Sequence, residues 1–173
     1  MVLPPVVTGY FLMLLIGRNG LLGKVLLATT GHQIGLMFTW YAAVIASFAV
    51  SFPFMIKTTR ASMEMVDQEL VNASYMLGRS EGQTALRVII PLSRGGITAG
   101  ATLAFARAMG EFGATIMVAG NIPGKTNTMP LSIYSESQYG FGGPAMWMVA
   151  VLVLVSGVVM YVSNRLGRRT RLV

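Results

Sequence analysis

VDQELVNASYMLGRSEGQTALRVIIP, residues 66–91, is a polar run between two segments oily enough to enter a bilayer. Apolar residues recur at Val66, Leu70, Ala73 and Leu77, the spacing of one helical face. Gly78 follows where a helix ends in a left-handed turn. Ser80 with Gln83 three residues on is a capping-box pattern that opens a second helix. Pro91 marks where that helix ends or bends. The stretch therefore predicts a small helix-turn-helix held at a membrane surface. Such an element either grips a soluble partner or lies on lipid headgroups. Glu64, Asp67, Glu69 and Glu81 speak against a surface of anionic lipid, so the docking reading is preferred.

The rest of the chain supports a membrane setting. Hydrophobic residues make up 54% of it and charged residues 11%, against about 25% charged in a soluble domain. There is no cysteine, which excludes disulfides and thiol chemistry, and His32 is the single histidine, which excludes a histidine-cluster metal site. No nucleophile–base set is apparent, so the sequence offers no catalytic residues and implies no cofactor. The net charge of +7 reads as positive-inside loops and not as a nucleic-acid surface. Met1 is followed at once by VLPPVV, without the basic region of a signal peptide. The 13 scattered methionines read as apolar filler.

Four apolar segments stand out, at about residues 2–16, 39–56, 95–119 and 145–162. A span needs about 20 residues, which the last three approach or reach. The first is short, with Pro4 and Pro5 at its beginning, and reads as a span entered part-way. Basic residues orient the segments. Residues 57–94 carry Lys57, Arg60, Arg79, Arg87 and Arg94, and the tail carries Arg165, Arg168, Arg169 and Arg171. The other two loops hold only Arg18 and Lys24, and Lys125. The richer loop and the tail are therefore expected inside and the poorer loops outside.

Asn72-Ala73-Ser74, then Gly78, then Val88-Ile89-Ile90-Pro91 resembles the EAA loop of ABC-importer permeases. That pattern runs Glu-Ala-Ala, three residues, Gly, nine residues, Ile-x-Leu-Pro. The Gly and Pro spacing is kept. Asn72 stands where the pattern has its Glu, and Ser74 replaces the second Ala. Leu3-Pro4-Pro5-Val6-Val7, Ser51-Phe52-Pro53, Leu103-Ala104-Phe105-Ala106-Arg107, Gly110-Glu111-Phe112-Gly113-Ala114-Thr115 and Asn121-Ile122-Pro123-Gly124-Lys125-Thr126 are similar to molybdate-importer permeases, in order along nearly the whole chain. Sulfate permeases share much of the last two motifs.

The resemblance implies an all-α, polytopic transmembrane helix bundle of the ABC-importer permease type, in a bacterial inner membrane, with 57–94 as its cytoplasmic helical coupling loop. It implies a homodimer, a cytoplasmic ABC ATPase dimer docked on Asn72, Ala73, Ser74, Gly78, Val88, Ile90 and Pro91, and an external anion-binding protein. It also implies further spans before Leu3. The cargo would be an oxyanion, molybdate first, with sulfate, thiosulfate or tungstate as alternatives. A stand-alone channel or secondary transporter is the competing class, and it would need no ATPase.

Arg107 and Glu111 lie four apart inside the third apolar segment. From Gly95, Arg107 is about 18 Å along a helix, close to mid-bilayer. Charges there usually face a bundle interior or a polar pathway. They read either as a pair that locks helices or a gate, or as part of an anion pathway. Residues 119–126 resemble a phosphate-binding loop, but Pro123 removes an N–H and a membrane segment precedes the loop, so a turn on the outer side is expected. The lone His32 reads as a loop residue.

The absence of native cysteine makes the topology directly testable. Single cysteines at Ser80, Asn127 and Thr170 should leave only position 127 open to an impermeant thiol reagent in intact cells. Labelling at position 80 would invert the orientation.

Overall fold

The computed structural model describes residues 3–17, 20–30, 35–140 and 143–169. His32, Arg18, Thr170 and Arg171 lie outside the described residues. The fold is all-α, and no strand occurs among the described residues. In chain order the helices are α1 Pro5–Ile16, α2 Leu21–Thr30, α3 Trp40–Glu64, α4 Gln68–Met76, α5 Glu81–Thr84, α6 Ile90–Met109, α7 Gly113–Val118, α8 Met129–Gln138 and α9 Gly143–Arg169. A π-helical turn, Ala85–Ile89, joins α5 to α6 without a break.

Among the described residues, four stretches are long and apolar enough to cross a membrane: Pro5–Thr29, Trp40–Glu64, Glu81–Met109 and Gly143–Ser163. Three differ from a simple reading of the apolar segments, and the first of them runs to Thr29, well past residue 16. Residues 95–119 do not form one helix. α6 ends at Met109, the Glu111 N–H bonds back to the Ala108 carbonyl at 3.1 Å, and α7 begins at Gly113. The interruption falls on Gly110-Glu111-Phe112-Gly113, where two glycines weaken helix propagation. Pro91 neither ends nor visibly stops its helix; the π turn immediately before it absorbs the misfit, so α5 runs on into α6. α3 also continues past the oily stretch, through Lys57 to Glu64, where Arg60 pairs with Glu64 at 2.7 Å on an exposed face.

The chain divides into two compact units. The first comprises the described residues of Met1–Ser51 and Arg107–Val155. Its core is Leu12 and Ile16 of α1, Ala42, Ala43, Ala46 and Val50 of α3, and Ala114, Val118 and Ala119 in and after α7. These are mainly small side chains. Helices in lipid gain little from burying oil, so close backbone approach and dispersion carry the packing. Gly9 lets α1 come close to α7, because a Cβ there would stand 2.8 Å from the Ala114 Cα. Gly113 similarly lies against Pro5, whose Cβ would be 3.1 Å from an added one.

The second unit comprises Phe52–Ala106 and the described residues of Ser156–Val173. Here α3 meets α6 through small and hydroxyl residues. Ser62 Oγ donates to the Ser93 carbonyl at 3.4 Å and Ser93 Oγ to the Ser62 carbonyl at 3.5 Å. A Cβ at Gly96 would overlap the Ser62 side chain, and one at Gly100 would lie 3.2 Å from the Met55 carbonyl oxygen. Thr102 and Ser163 join α6 to α9 by a 2.6 Å hydrogen bond.

Gly9→Val should lower the melting temperature of the detergent-solubilised protein, since overpacking against backbone costs about 1–3 kcal/mol. Gly157→Ala, in the interior of α9 with no atom within 4 Å of the new Cβ, is the control and should not lower it.

Candidate functional site: an outward-facing helix pair and a buried ion pair

The polar stretch folds as a capped pair of short helices. Asp67 caps α4 by accepting the Glu69 N–H at 2.9 Å. α4 closes on Gly78, which has φ +76°. The Gly78 N–H bonds to the Tyr75 carbonyl at 2.9 Å and the Arg79 N–H to the Ser74 carbonyl at 3.3 Å, the paired bonds of a Schellman motif. Only glycine takes that backbone conformation without a Cβ penalty. Ser80 then caps α5 with Gln83 in a full capping box.

The buried face of α4 is Val71 and Ser74, not the Leu70, Ala73 and Leu77 stripe that the sequence suggests. The Ser74 and Thr84 hydroxyls meet at 2.9 Å, both buried, and this polar clamp ties α4 to α5. It rotates the apolar stripe outward. Leu70 is exposed, Met76 is 90% exposed and Leu77 78%. Of the remaining residues expected to dock a partner, Asn72 is exposed and accepts a 3.4 Å bond from Gln68, and Ala73 is exposed. Ile90 and Pro91 are also exposed, while Val88 is half-buried. They lie in or beside the π turn, one helix away from Asn72 to Gly78. Thr84 and Val71 were invisible as site residues in the sequence; the Ser74 substitution of the EAA pattern is the one signal that a polar partner was needed.

Arg107 and Glu111 do meet. Arg107 Nη1 donates to Glu111 Oε2 at 2.8 Å. Glu111 is not on α6 but in the break that follows it, and its other oxygen accepts the Ala114 N–H at 2.8 Å. The carboxylate thus bridges the end of α6 and the first turn of α7. Only 1% of the Glu111 side chain is exposed, against 27% for Arg107. A buried carboxylate holds its charge only when paired and hydrogen-bonded, and both conditions are met here.

The loop after α7 uses its own amides. The Ile122 N–H donates to Thr126 Oγ1 at 3.0 Å and the Gly124 N–H to Asn127 Oδ1 at 3.1 Å. Asn121 Nδ2 donates to Ser135 Oγ at 2.6 Å, which fastens the loop to α8. These bonds shape a compact turn and occupy N–H groups that a phosphate cradle would have to present.

The sequence profile of the family described as "Binding-protein-dependent transport system inner membrane component" matches residues 1–171. A molybdenum transport system permease protein of Haemophilus influenzae is 45% identical over 138 residues, which cover 80% of this chain and 59% of that protein. Its counterpart in Escherichia coli K12 is 38% identical over 173 residues, 99% of this chain and 74% of that one. The chain therefore spans less than two thirds of the Haemophilus protein. Among solved structures, a chain of the MetNI methionine ABC transporter, crystallised in inward-facing conformations, superposes with a TM-score of 0.67 at 16% identity, over 97% of this chain and 69% of its own.

The ion pair predicts a specific mutational pattern. Arg107→Ala and Glu111→Ala should each lower thermal stability, the first by stranding a buried carboxylate and the second by also releasing the Ala114 N–H. The double variant should lose less than the sum, with a coupling of about 0.5–3 kcal/mol. Strictly additive losses would show that the two side chains do not support each other.

Proposed function

The chain belongs to the family of binding-protein-dependent transport system inner membrane components, and on that premise we propose that it is the permease subunit of an ATP-driven importer for an oxyanion, molybdate. The name carried by its Haemophilus and Escherichia relatives supports the choice of anion. In this reading the subunit works as a homodimer. It receives its cargo from an external binding protein and is driven by a cytoplasmic ATPase dimer. Hydrolysis belongs to that partner, and this chain supplies the path and the mechanical link.

The observation that carries the proposal is the inverted packing of α4. A short helix in the most polar part of the chain turns its hydroxyl inward and presents Leu70, Met76 and Leu77 outward. Exposed apolar groups held on a rigid, doubly capped frame suit a protein groove. Asn72, Ala73, Gly78, Val88, Ile90 and Pro91, with Leu70, Met76 and Leu77, are the proposed docking set, on the cytoplasmic side that the Lys/Arg distribution assigns; Ser74, buried against Thr84, supports the element from inside and leaves the set. Arg107 and Glu111 are proposed to hold the helix break beside the pathway. A guanidinium near mid-bilayer eases an anion across a medium of low dielectric, and the adjacent carboxylate keeps the site from trapping it.

Gly78→Pro tests the docking. Proline cannot adopt φ +76° and has no N–H for the Tyr75 carbonyl, so the Schellman turn must open. The variant should remain in the membrane but lose the hydrolysis that its binding protein and molybdate stimulate. Full stimulation in that variant would exclude this element as the coupling surface. Competition of labelled molybdate uptake by tungstate and sulfate assigns the anion.

A further inference from the structure

Between α5 and α6 the helix widens into the single π turn Ala85–Ile89, in which the Ile90 N–H bonds to the Ala85 carbonyl. Pro91 supplies the reason. In a regular α-helix its ring would press on the carbonyl of Arg87, four residues back, and it brings no N–H to that carbonyl. The wider turn relieves the crowding by carrying one residue more than an α-helix of that length. None of its residues is buried, and Leu86 is 68% exposed.

Both neighbours of this turn are anchored. On its N-terminal side the buried Ser74–Thr84 bond fixes α4 to α5. On its C-terminal side Ser93, almost fully buried, donates its hydroxyl hydrogen to the Ile89 carbonyl at 2.7 Å, and its own carbonyl accepts from Ser62 Oγ of α3 at 3.4 Å. Gly96, one turn on, leaves the space that the Ser62 side chain fills. Two clamped bodies are therefore joined by a turn with no buried side chain, which already holds a spare residue and whose last carbonyl, that of Ile89, Ser93 fastens.

We propose that the π turn Ala85–Ile89 is the hinge through which the docked element acts on α6, with Ser74–Thr84 and Ser62–Ser93 as the positioning pairs on either side. The inference rests on the docking reading above. Closing the π turn to an α turn, or reopening it, turns α5 by about 100° and shifts it by about 1.5 Å against α6. Such a step is discrete, so a push on α4 is passed on as a switch between two packings and is not spread along the helix. The Gly78 turn is a poor alternative. It is closed by two backbone bonds, and the Ser74–Thr84 bond crosses it, so bending there would break a buried hydrogen bond.

Amide hydrogen exchange on the assembled permease–ATPase complex, with ATP and then with ATP plus vanadate, tests the hinge. Protection at Leu86 to Ile90 should change between the two states while Tyr75 to Thr84 and Ser93 to Gly100 hold theirs. A change at Gly78 to Ser80 with none at Leu86 to Ile90 overturns the proposal. Deleting Leu86 removes the spare residue and should abolish binding-protein-stimulated hydrolysis, whereas Leu86→Ala keeps the length and should retain it. Full stimulation after the deletion overturns the hinge as well. If the deletion prevents assembly, the exchange measurement on the unaltered complex decides. If the unaltered permease captures no ATPase, the docking reading falls and takes the hinge with it. A complex that assembles and hydrolyses ATP with unchanged exchange at Leu86 to Ile90 removes the hinge alone.

Discussion

Inside a bilayer no water completes a hydrogen bond, so each polar group that enters must find its partner within the protein. The helices meet this condition mostly along their own length. Ser47 donates to the Ala43 carbonyl, Ser51 to Phe48, Thr98 to Gly95 and Thr102 onward to Thr98. The interruption between α6 and α7 cannot be settled that way, because the chain leaves its helical ladder there. Glu111 settles it instead. One oxygen takes the guanidinium of Arg107 and the other takes an orphan N–H in the first turn of α7. A negative charge at a helix N-terminus is favourable in its own right. The same carboxylate therefore closes the break, seats α7 and so places Ala114 against Gly9 of α1.

The polar stretch obeys the opposite economy. It has water available, so its exposed backbone ends need no protein partner, yet they are capped on both sides by Asp67, Gly78 and Ser80. Its Ser74 and Thr84 hydroxyls are buried, while Leu70, Met76 and Leu77 face out. A helix folding only for its own stability would do the reverse. The rigid frame reduces the conformational entropy that a docking partner would otherwise have to remove on binding.

Local rules made much of this legible. Gly78 and the Ser80–Gln83 box depend on neighbours within a turn and took the conformation their spacing implies, and Arg107 and Glu111 meet although Glu111 stands past the end of the helix they were expected to share. What failed depended on distant partners. The apolar stripe Leu70, Ala73 and Leu77 predicts a buried face, but Thr84, ten residues beyond Ser74, decides which face turns inward. Hydropathy draws residues 95–119 as one span, since a glycine-flanked break surrounded by oil leaves the average almost unchanged. Pro91 reads as a stop because the π turn that accommodates it has no composition of its own. The Ser62–Ser93 pair, thirty-one residues apart, carries no local signal at all.

The two departures from the EAA pattern then have different physical weight. Ser74 in place of Ala adds the hydroxyl that Thr84 needs, so this substitution works inside the element. Asn72 in place of Glu works on the outside, where its amide oxygen is already taken up by Gln68 at the next turn. No charge remains at that position to form an ion pair with a partner. In the proposed docking, the specific contact accordingly falls to the exposed side chains of Met76 and Leu77, with Asp67, Glu69 and Glu81 as the acidic surround. An apolar anchor of this kind is little affected by salt, whereas the acidic surround acts over about one Debye length and fades as ionic strength rises. Salt would then slow the encounter between permease and ATPase more than it loosens the assembled complex, because steering governs arrival and buried contact governs departure.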